Sequence, residues 1–419
     1  MTSAHSHEGE TGSAHISEVL AKELSKKNQV LYILLGSKFE RVRISNKLTY
    51  LKLPTVDFKG IKIPIITPSN KRRIFKIVDN FRPQVVHSQN IIFGVLLGLI
   101  WARTHDIPYV LTLHHIPHEG LTFIFPKFRR RKYFLFLDSQ YSKIYTGTFL
   151  KLADLVIALN KTIIDSLEIL SPSSRRVVIN NGIELDKFKN LAINRPTNQI
   201  RFLYPGSYID RKNQEYLVKA FRYLPDNYNL DLYGKKDTGF GYVNNLEQVI
   251  NKYNIKNVRV NDYIESKELI KVYENSHYLI SASVKEVQSL VIIESLAAGK
   301  PVIALENEAT RELVNKLNGI VFPQSTSPKE FAKKVKLFVS ATNKNYEAIS
   351  GICREGVNRF DVKIVSDKVA KAYKDVIKTH KNRSNNDKLF LLNIFVAVSM
   401  LLGVVGRILA FISSQSSEK

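Results

Sequence analysis

The sequence predicts an α/β protein of two doubly wound, Rossmann-like domains. Three observations predict it. Short apolar runs of strand type alternate with helix-period segments. The alternation restarts after a polar, proline-bearing connector, "INRPTNQ" at 193–199. The chain has 419 residues, more than one core normally organises.

In chain order, "AHISEVLAKELSKK" repeats apolar residues at helical spacing, and only "MTSA" and a polar stretch precede it. That leaves either a very short first strand or a start that lies upstream. "QVLYILLG" (29–36) is a buried-strand run closed by glycine. "PQVVHSQ" (83–89), "IPYVLTLHH" (107–115) and "ADLVIALN" (153–160) are further strand candidates, and "IIFGVLLGLIW" (91–101) reads as a core helix. After the connector come "IRFLYPG" (200–206), "NLDLYG" (229–234), "VRV" (258–260), "HYLISAS" (277–283), "PVIA" (301–304) and "GIVF" (319–322). Domains are therefore expected at 1–195 and 196–373. Loops at the carboxyl ends of parallel strands form the ligand crevice of such domains.

Composition narrows the function classes. Apolar content of 44% and charged content of 24% are those of a globular protein. The one cysteine, Cys353, excludes an intrachain disulfide framework and reads as a small core residue. The net charge of +24, denser in the first half, attracts polyanions or phosphorylated ligands. Residues 389–412 hold a single charge, Arg407, and are long enough to cross a hydrocarbon core. The basic segment 374–388 before them favours a cytoplasmic location for everything upstream. A single-pass carboxyl-terminal anchor in the cell membrane is expected, with both domains in the cytoplasm. No amino-terminal signal peptide is visible. In "FIFPKFRRRKYFLF" (123–136), Lys127, Arg129, Arg130, Arg131 and Lys132 lie among aromatic residues, which fits an anionic membrane surface. No nucleic-acid-binding motif occurs.

The stretch "KEVQSLVIIESLAAGKPVIA" (285–304) carries the chemistry. Glu286 falls in the loop after a strand. Ser289 stands at the N-cap position of a helix that Gly299 closes, and Glu294 lies inside that helix. The free N–H groups from Ser289 and Leu290 onward suit phosphate. Glu294 suits a vicinal diol such as ribose, and Glu286 suits the hydroxyls of a second sugar.

This stretch resembles the E-x7-E signature of retaining glycosyltransferases of family 4, with Val287 and Ser289 where that family usually has glycines. Further matches follow in the family's order. "GSAHISEVLAKEL" (12–24) resembles the first glycine loop and helix, with Gly12 and His15. "FRPQVVHSQ" (81–89) has Gln89 in place of the second His, and "LTLHH" (111–115) carries His114. "VINNGIEL" (178–185) has Asn181 in its turn. "YPGSYIDRKNQ" (204–214) resembles the phosphate-contacting loop, with Gly206 and Lys212 aligned, Ser207 for the usual arginine, and Arg211 as a substitute cation. Glu312 fits a later glutamate of the family. The resemblance spans roughly residues 10–375.

It implies a GT-B fold and transfer of a sugar, with anomeric retention, from a nucleotide diphosphate; the 127–132 patch in the acceptor-holding first domain, together with the apolar tail, points to a lipid or lipid-linked glycan as acceptor. Glu286, His114 and Lys212 would be the catalytic groups. Donor binding would fall to Glu294, Arg211, Gly206, Ser289, Leu290, Gly12 and Asn181, and His15 with the 127–132 cations would face the acceptor or membrane. No cofactor and no metal is expected, since Asp-x-Asp is absent. The histidine groups at His114, His115 and His118 with Glu119, and at His5, His7 and His15, lack the H-E-x-x-H order of a zinc site. Two other functions fit the same fold: a sugar-nucleotide 2-epimerase and a non-catalytic, membrane-tethered binder of nucleotide sugars.

Overall fold

The computed structural model describes residues 2–6, 12–58, 61–89, 95–114, 135–136, 139–140, 146–147, 149–171, 174–236 and 241–380. These form two compact units. The first takes in Met1–Val56, Lys62–Ile179 and the chain from Lys368 onward; the second is Asp57–Ile61 and Asn180–Asp367.

In the first unit the strands are β1 Thr2–Ser6, β2 Val30–Gly36, β3 Glu40–Ser45, β4 Leu48–Phe58, β5 Ile61–Pro64, β6 Val86–Ser88, β7 Tyr109–Leu113, β8 Leu155–Ala158 and β9 Arg176–Val178. They lie in the order β3-β4-β2-β1-β6-β7-β8-β9, with β5 on β4. All pairings from β4–β2 through to β8–β9 are parallel. β3 runs antiparallel, on β4. The short segment before the first helix is thus a strand, seated between β2 and β6. Buried runs such as the five residues of β7 and the four of β8 are what a sheet covered on both faces requires. The helix Val95–Thr104 takes up the apolar run from Val95 onward, and Trp101 on it is buried.

The second unit has one six-stranded parallel sheet. Its strands are β10 Ile200–Pro205, β11 Tyr228–Tyr233, β12 Val258–Asn261, β13 Tyr278–Ser281, β14 Val302–Leu305 and β15 Gly319–Phe322. The order β12-β11-β10-β13-β14-β15 changes direction between β10 and β13, so the carboxyl ends of those two strands flank the switch point. Phe202 stacks between Tyr228 and Tyr278 at 5.7 and 5.6 Å, holding three strands through one aromatic row.

The connector at 193–199 does not divide the units; they part at Ile179 and Asn180. The reason is burial. Ile183, Leu185 and Phe188 are all buried. Ile183 donates its N–H to the Phe360 carbonyl at 2.8 Å and accepts from Val362 at 2.9 Å. Gly182 runs so close to this segment that a Cβ would stand 2.7 Å from the Val362 Cα. The last helix, Val362–Thr379, is shared, with its turns from Lys368 counted in the first unit. Among the described residues no helix is long and apolar enough to cross a membrane. The proposed anchor at 389–412, its linker beyond His380 and the basic run at 127–132 lie outside the described residues.

Candidate functional site

In the second unit, two loops that the sequence keeps far apart meet at the sheet's switch point. One follows β10 and carries Gly206, Arg211 and Lys212. The other follows β13 and runs from Ser283 to Ser289. The Lys212 ammonium forms an ion pair with Glu286 across 74 positions of chain. Arg211 stands 3.6 Å from the same carboxylate oxygen and donates to the Lys285 carbonyl at 3.1 Å. The Val284 N–H returns a bond of 3.0 Å to the Arg211 carbonyl.

A buried hydroxyl pair completes the junction. Ser283 donates to Glu286 at 3.2 Å, Ser283 and Tyr204 share a bond of 2.7 Å, and the Tyr204 hydroxyl lies 3.2 Å from the Lys212 carbonyl. Asn307 and Gln324 both donate to the Ser283 carbonyl, at 2.9 and 3.2 Å, which ties in the loops after β14 and β15. The Lys212 and Glu286 side chains are 13% and 11% exposed, while Arg211 is 43% exposed. Two charges are therefore sunk and one is presented outward.

Burial opposes ionisation of both sunk groups. The fields of Lys212 and Arg211 outweigh it at Glu286, whose pKa lies below the usual carboxylate value. At Lys212 burial is likewise outweighed by Glu286, and the ammonium is held charged. Gly206 leaves room above the cation: a Cβ there would sit 3.6 Å from the Lys212 side chain. Gly234, at the end of β11, is obligatory, because its Cβ would fall 2.4 Å from the Gly206 carbonyl oxygen. No sequence motif pointed to Gly234.

The helix Leu290–Ala297 starts directly beyond Glu286. Ser289 occupies the N-cap position but makes no side-chain cap bond. The first N–H groups of that helix have no intrahelical acceptor, as at any helix start. Asn181 approaches the same loop: its N–H donates to the Gln288 side-chain oxygen at 2.8 Å. Glu294, partly buried on the helix, accepts from the Tyr273 hydroxyl at 2.9 Å. Burial raises its pKa to about 7 against the hydrogen bond from Tyr273 and the charge of Lys187. Glu312 accepts from Asn180 at 3.2 Å, and desolvation raises its pKa too. The structure thus gathers Lys212, Arg211, Gly206, Glu286, Ser289 and Leu290 around one helix start. Tyr204, Ser283, Gln288 and Tyr273 are additions that the sequence reading missed. Ser283 sits three positions before Glu286, a signal that was there to be read.

In the first unit, His114 follows β7 and donates from Nε2 to the Gln89 side-chain oxygen, just past β6, at 2.9 Å. His87 is buried. It bonds Thr112 at 2.7 Å and Tyr373 at 2.5 Å through its two ring nitrogens, and burial keeps it neutral. Gln89, which departs from the family pattern, is thus the residue that orients His114. Gly12 opens the helix Gly12–Ser25, and His15 stands in its first turn. Among the described residues no three His, Cys, Asp or Glu side chains converge as a metal site.

Residues 12–187 match the family model described as Glycosyltransferase Family 4, and residues 186–351 match Glycosyl transferases group 1. The chain is 25% identical over 320 residues to the alpha-monoglucosyldiacylglycerol synthase of Streptococcus pneumoniae (strain ATCC BAA-255 / R6), covering 73% of this chain and 70% of that one. An uncharacterised glycosyltransferase of Methanocaldococcus jannaschii is 22% identical over 320 residues, covering 76% and 82%. Among solved structures, the sucrose-phosphate synthase of Thermosynechococcus elongatus superposes with a TM-score of 0.73 at 18% identity, over 90% of this chain and 96% of that one. HepE of Anabaena, in complex with UDP and glucose, gives 0.67 at 17% identity, over 89% and 98%. These likenesses establish the fold as GT-B, with two Rossmann-like domains.

Proposed function

We propose that this chain, a glycosyltransferase with a family 4-like first domain and a group 1 second domain, moves a sugar from a nucleotide diphosphate to a lipid or lipid-linked glycan with retention of anomeric configuration. The observation that carries the reading is the Lys212–Glu286–Arg211 cluster set against the start of the helix Leu290–Ala297. A diphosphate placed there meets the exposed Arg211, the held ammonium of Lys212 and free helix N–H groups. All three stabilise the charge that grows on the leaving phosphate.

Pairing with Glu286 keeps Lys212 protonated and in place before donor arrives, so little reorganisation is needed at the moment of reaction. The second oxygen of Glu286 remains for a hydroxyl of the transferred sugar. Glu294, one and a half turns further on, accepts the ribose diol. His114, held by Gln89 at the end of β7, is the first unit's candidate for binding a sugar hydroxyl. The departing diphosphate takes the acceptor proton on the same face, so no protein nucleophile is required and turnover needs no metal.

The lipid acceptor is supported by the printed name of the pneumococcal relative, a glucolipid synthase, and by the apolar segment 389–412 with its basic approach. The anchor would keep both domains on the cytoplasmic face, and the cations at 127–132 would meet the lipid surface there. The UDP and glucose bound in HepE support a uridine nucleotide as the first donor to try.

The test is incorporation from labelled UDP-glucose and other common nucleotide sugars into diacylglycerol and monoglycosylated lipid by the detergent-solubilised full chain. We expect an α-linked product by NMR, insensitivity to EDTA, and a loss of about a thousandfold in kcat for Glu286→Gln. A β-linked product from an α-linked donor would remove retention. Donor isomerisation without any acceptor would assign the epimerase reading instead.

A further inference from the structure

We infer that Tyr373, on the last helix, is a positioning residue for His114, acting through His87 and Gln89 to fix the His114 proton on Nε2. The inference rests on the reading of His114 as a sugar-binding group and names what holds that group in one form.

The side chains involved come from distant parts of the chain and meet within the first unit. His87 belongs to β6 and Thr112 to β7, and Gln89 and His114 lie just past the ends of the same two strands. Tyr373 arrives from the helix Val362–Thr379, 286 positions beyond His87. His87, Gln89 and Thr112 are buried. The Tyr373 hydroxyl lies 2.5 Å from His87 Nδ1, and the Thr112 hydroxyl lies 2.7 Å from Nε2. The Tyr373 and His87 rings meet edge to face, with centroids 5.5 Å apart.

A neutral imidazole has one nitrogen that donates and one that accepts. His87 is neutral, because burial opposes its charged form. Burial also raises the pKa of Tyr373, so the phenol keeps its proton. A phenol is a stronger acid than an alcohol, so Tyr373 is the donor and Nδ1 accepts. The ring proton then sits on Nε2 and goes to Thr112. The Gln89 amide nitrogen lies 3.3 Å from each ring nitrogen of His87. A carboxamide has a donor end and an acceptor end, and turning it over exchanges them. Nδ1 is the negative end of the ring dipole, so it draws the NH2 end and repels the carbonyl. The carbonyl end therefore faces His114 and accepts from its Nε2 at 2.9 Å. Without the Tyr373 hydroxyl the His87 proton can move to Nδ1. The amide is then no longer held in one sense, and neither is the proton of His114.

The experiment uses the detergent-solubilised full chain. Diethyl pyrocarbonate acylates a histidine nitrogen that carries a lone pair, most readily the less crowded Nε2. Peptide mass spectrometry reads the rate at each histidine. The parent should react slowly at His114. Tyr373→Phe and Gln89→Ala should each raise that rate by about tenfold, the worth of one hydrogen bond. The exposed His105 should react alike in all three proteins.

Sugar transfer gives a second readout. Tyr373→Phe should lower kcat/KM by about tenfold in the parent and by less than about twofold in the His114→Ala background, because the hydroxyl acts through His114. A loss of equal size in both backgrounds makes Tyr373 a packing residue and overturns the inference. So does a His114 acylation rate in Tyr373→Phe that matches the parent, or one that rises together with the rate at His105. If no nucleotide sugar is turned over but the acylation pattern holds, the proposed function fails and the positioning role stands.

Discussion

Glu286 and Glu294 are the same residue type eight positions apart, and their surroundings drive them in opposite directions. Glu286 sits on a loop between two cations and is held ionised, its pKa below the usual value. Glu294 sits on a helix face with one tyrosine hydroxyl and a more distant lysine, and its pKa rises to about 7. Burial is the largest influence on both, and it disfavours the anion at both. The difference is whether a buried carboxylate has a cation in direct contact. A pre-ionised, paired carboxylate suits a site that must be rigid while charge moves. A carboxylate at the edge of ionisation suits a ligand group that can supply the missing hydrogen bonds when it binds.

Removing either half of the Lys212–Glu286 pair breaks the contrast most severely. Lys212→Met leaves the Glu286 anion buried with only the more exposed Arg211 nearby. We expect a loss of about 3 kcal/mol in unfolding free energy, read by urea titration, with kcat lower by at least a hundredfold. Lys212→Arg, which restores a cation, should recover part of the stability. A variant as stable as the parent would mean that the pair is solvated rather than sunk.

A pH titration tests the other half. In the unfolded chain Glu294 ionises near its ordinary value of 4.5, and in the fold near 7. Between these values the native state binds more protons, so this group's contribution to stability falls as pH rises from 4.5 to 7 and is level above. The slope is at most about 1.4 kcal/mol per pH unit. Relative to the parent, Glu294→Gln should gain stability across that window and stay level below it. Nucleotide affinity, if it draws on the anion, should strengthen from pH 6 to pH 8 in the parent and be flat in the variant, by isothermal calorimetry. A flat profile in the parent would place Glu294 outside the nucleotide site.

The smallest change sharpens the comparison. Tyr273→Phe removes the hydroxyl that favours the Glu294 anion. The titration should move further up, and nucleotide affinity at pH 7 should drop by roughly fivefold, the worth of one hydrogen bond. The same substitution should leave kcat at saturating donor unchanged.

Much of the second unit was legible in advance. Its six strands were each readable as short apolar runs, and Ser289, Gly299 and Glu294 fell where the helix signals put them. The edge of the first unit was not. β3, β4 and β5 are rich in Lys, Arg and Thr and lack a closed apolar run, because a peripheral antiparallel hairpin has one face in water. β9 is three residues long with no buried position, too little for any pattern. The division near 180 escaped because "NNGIEL" reads as a polar turn, whereas Ile183 is bonded to Phe360 and Val362 far along the chain and Leu185 is buried.

By itself the sequence determined two parallel α/β units, the order of their ligand loops, and the presence of a glutamate before and inside one helix. Periodicity and helix-end chemistry are local, so a linear reading can recover them. Only the tertiary structure decided that Lys212 and Arg211 would reach Glu286, that Tyr204 and Ser283 would bolt their loops together, and that Glu294 would be left near neutrality. Those outcomes depend on which strand ends become neighbours and on how much solvent each side chain loses. Both are properties of the packed sheet rather than of any stretch of chain.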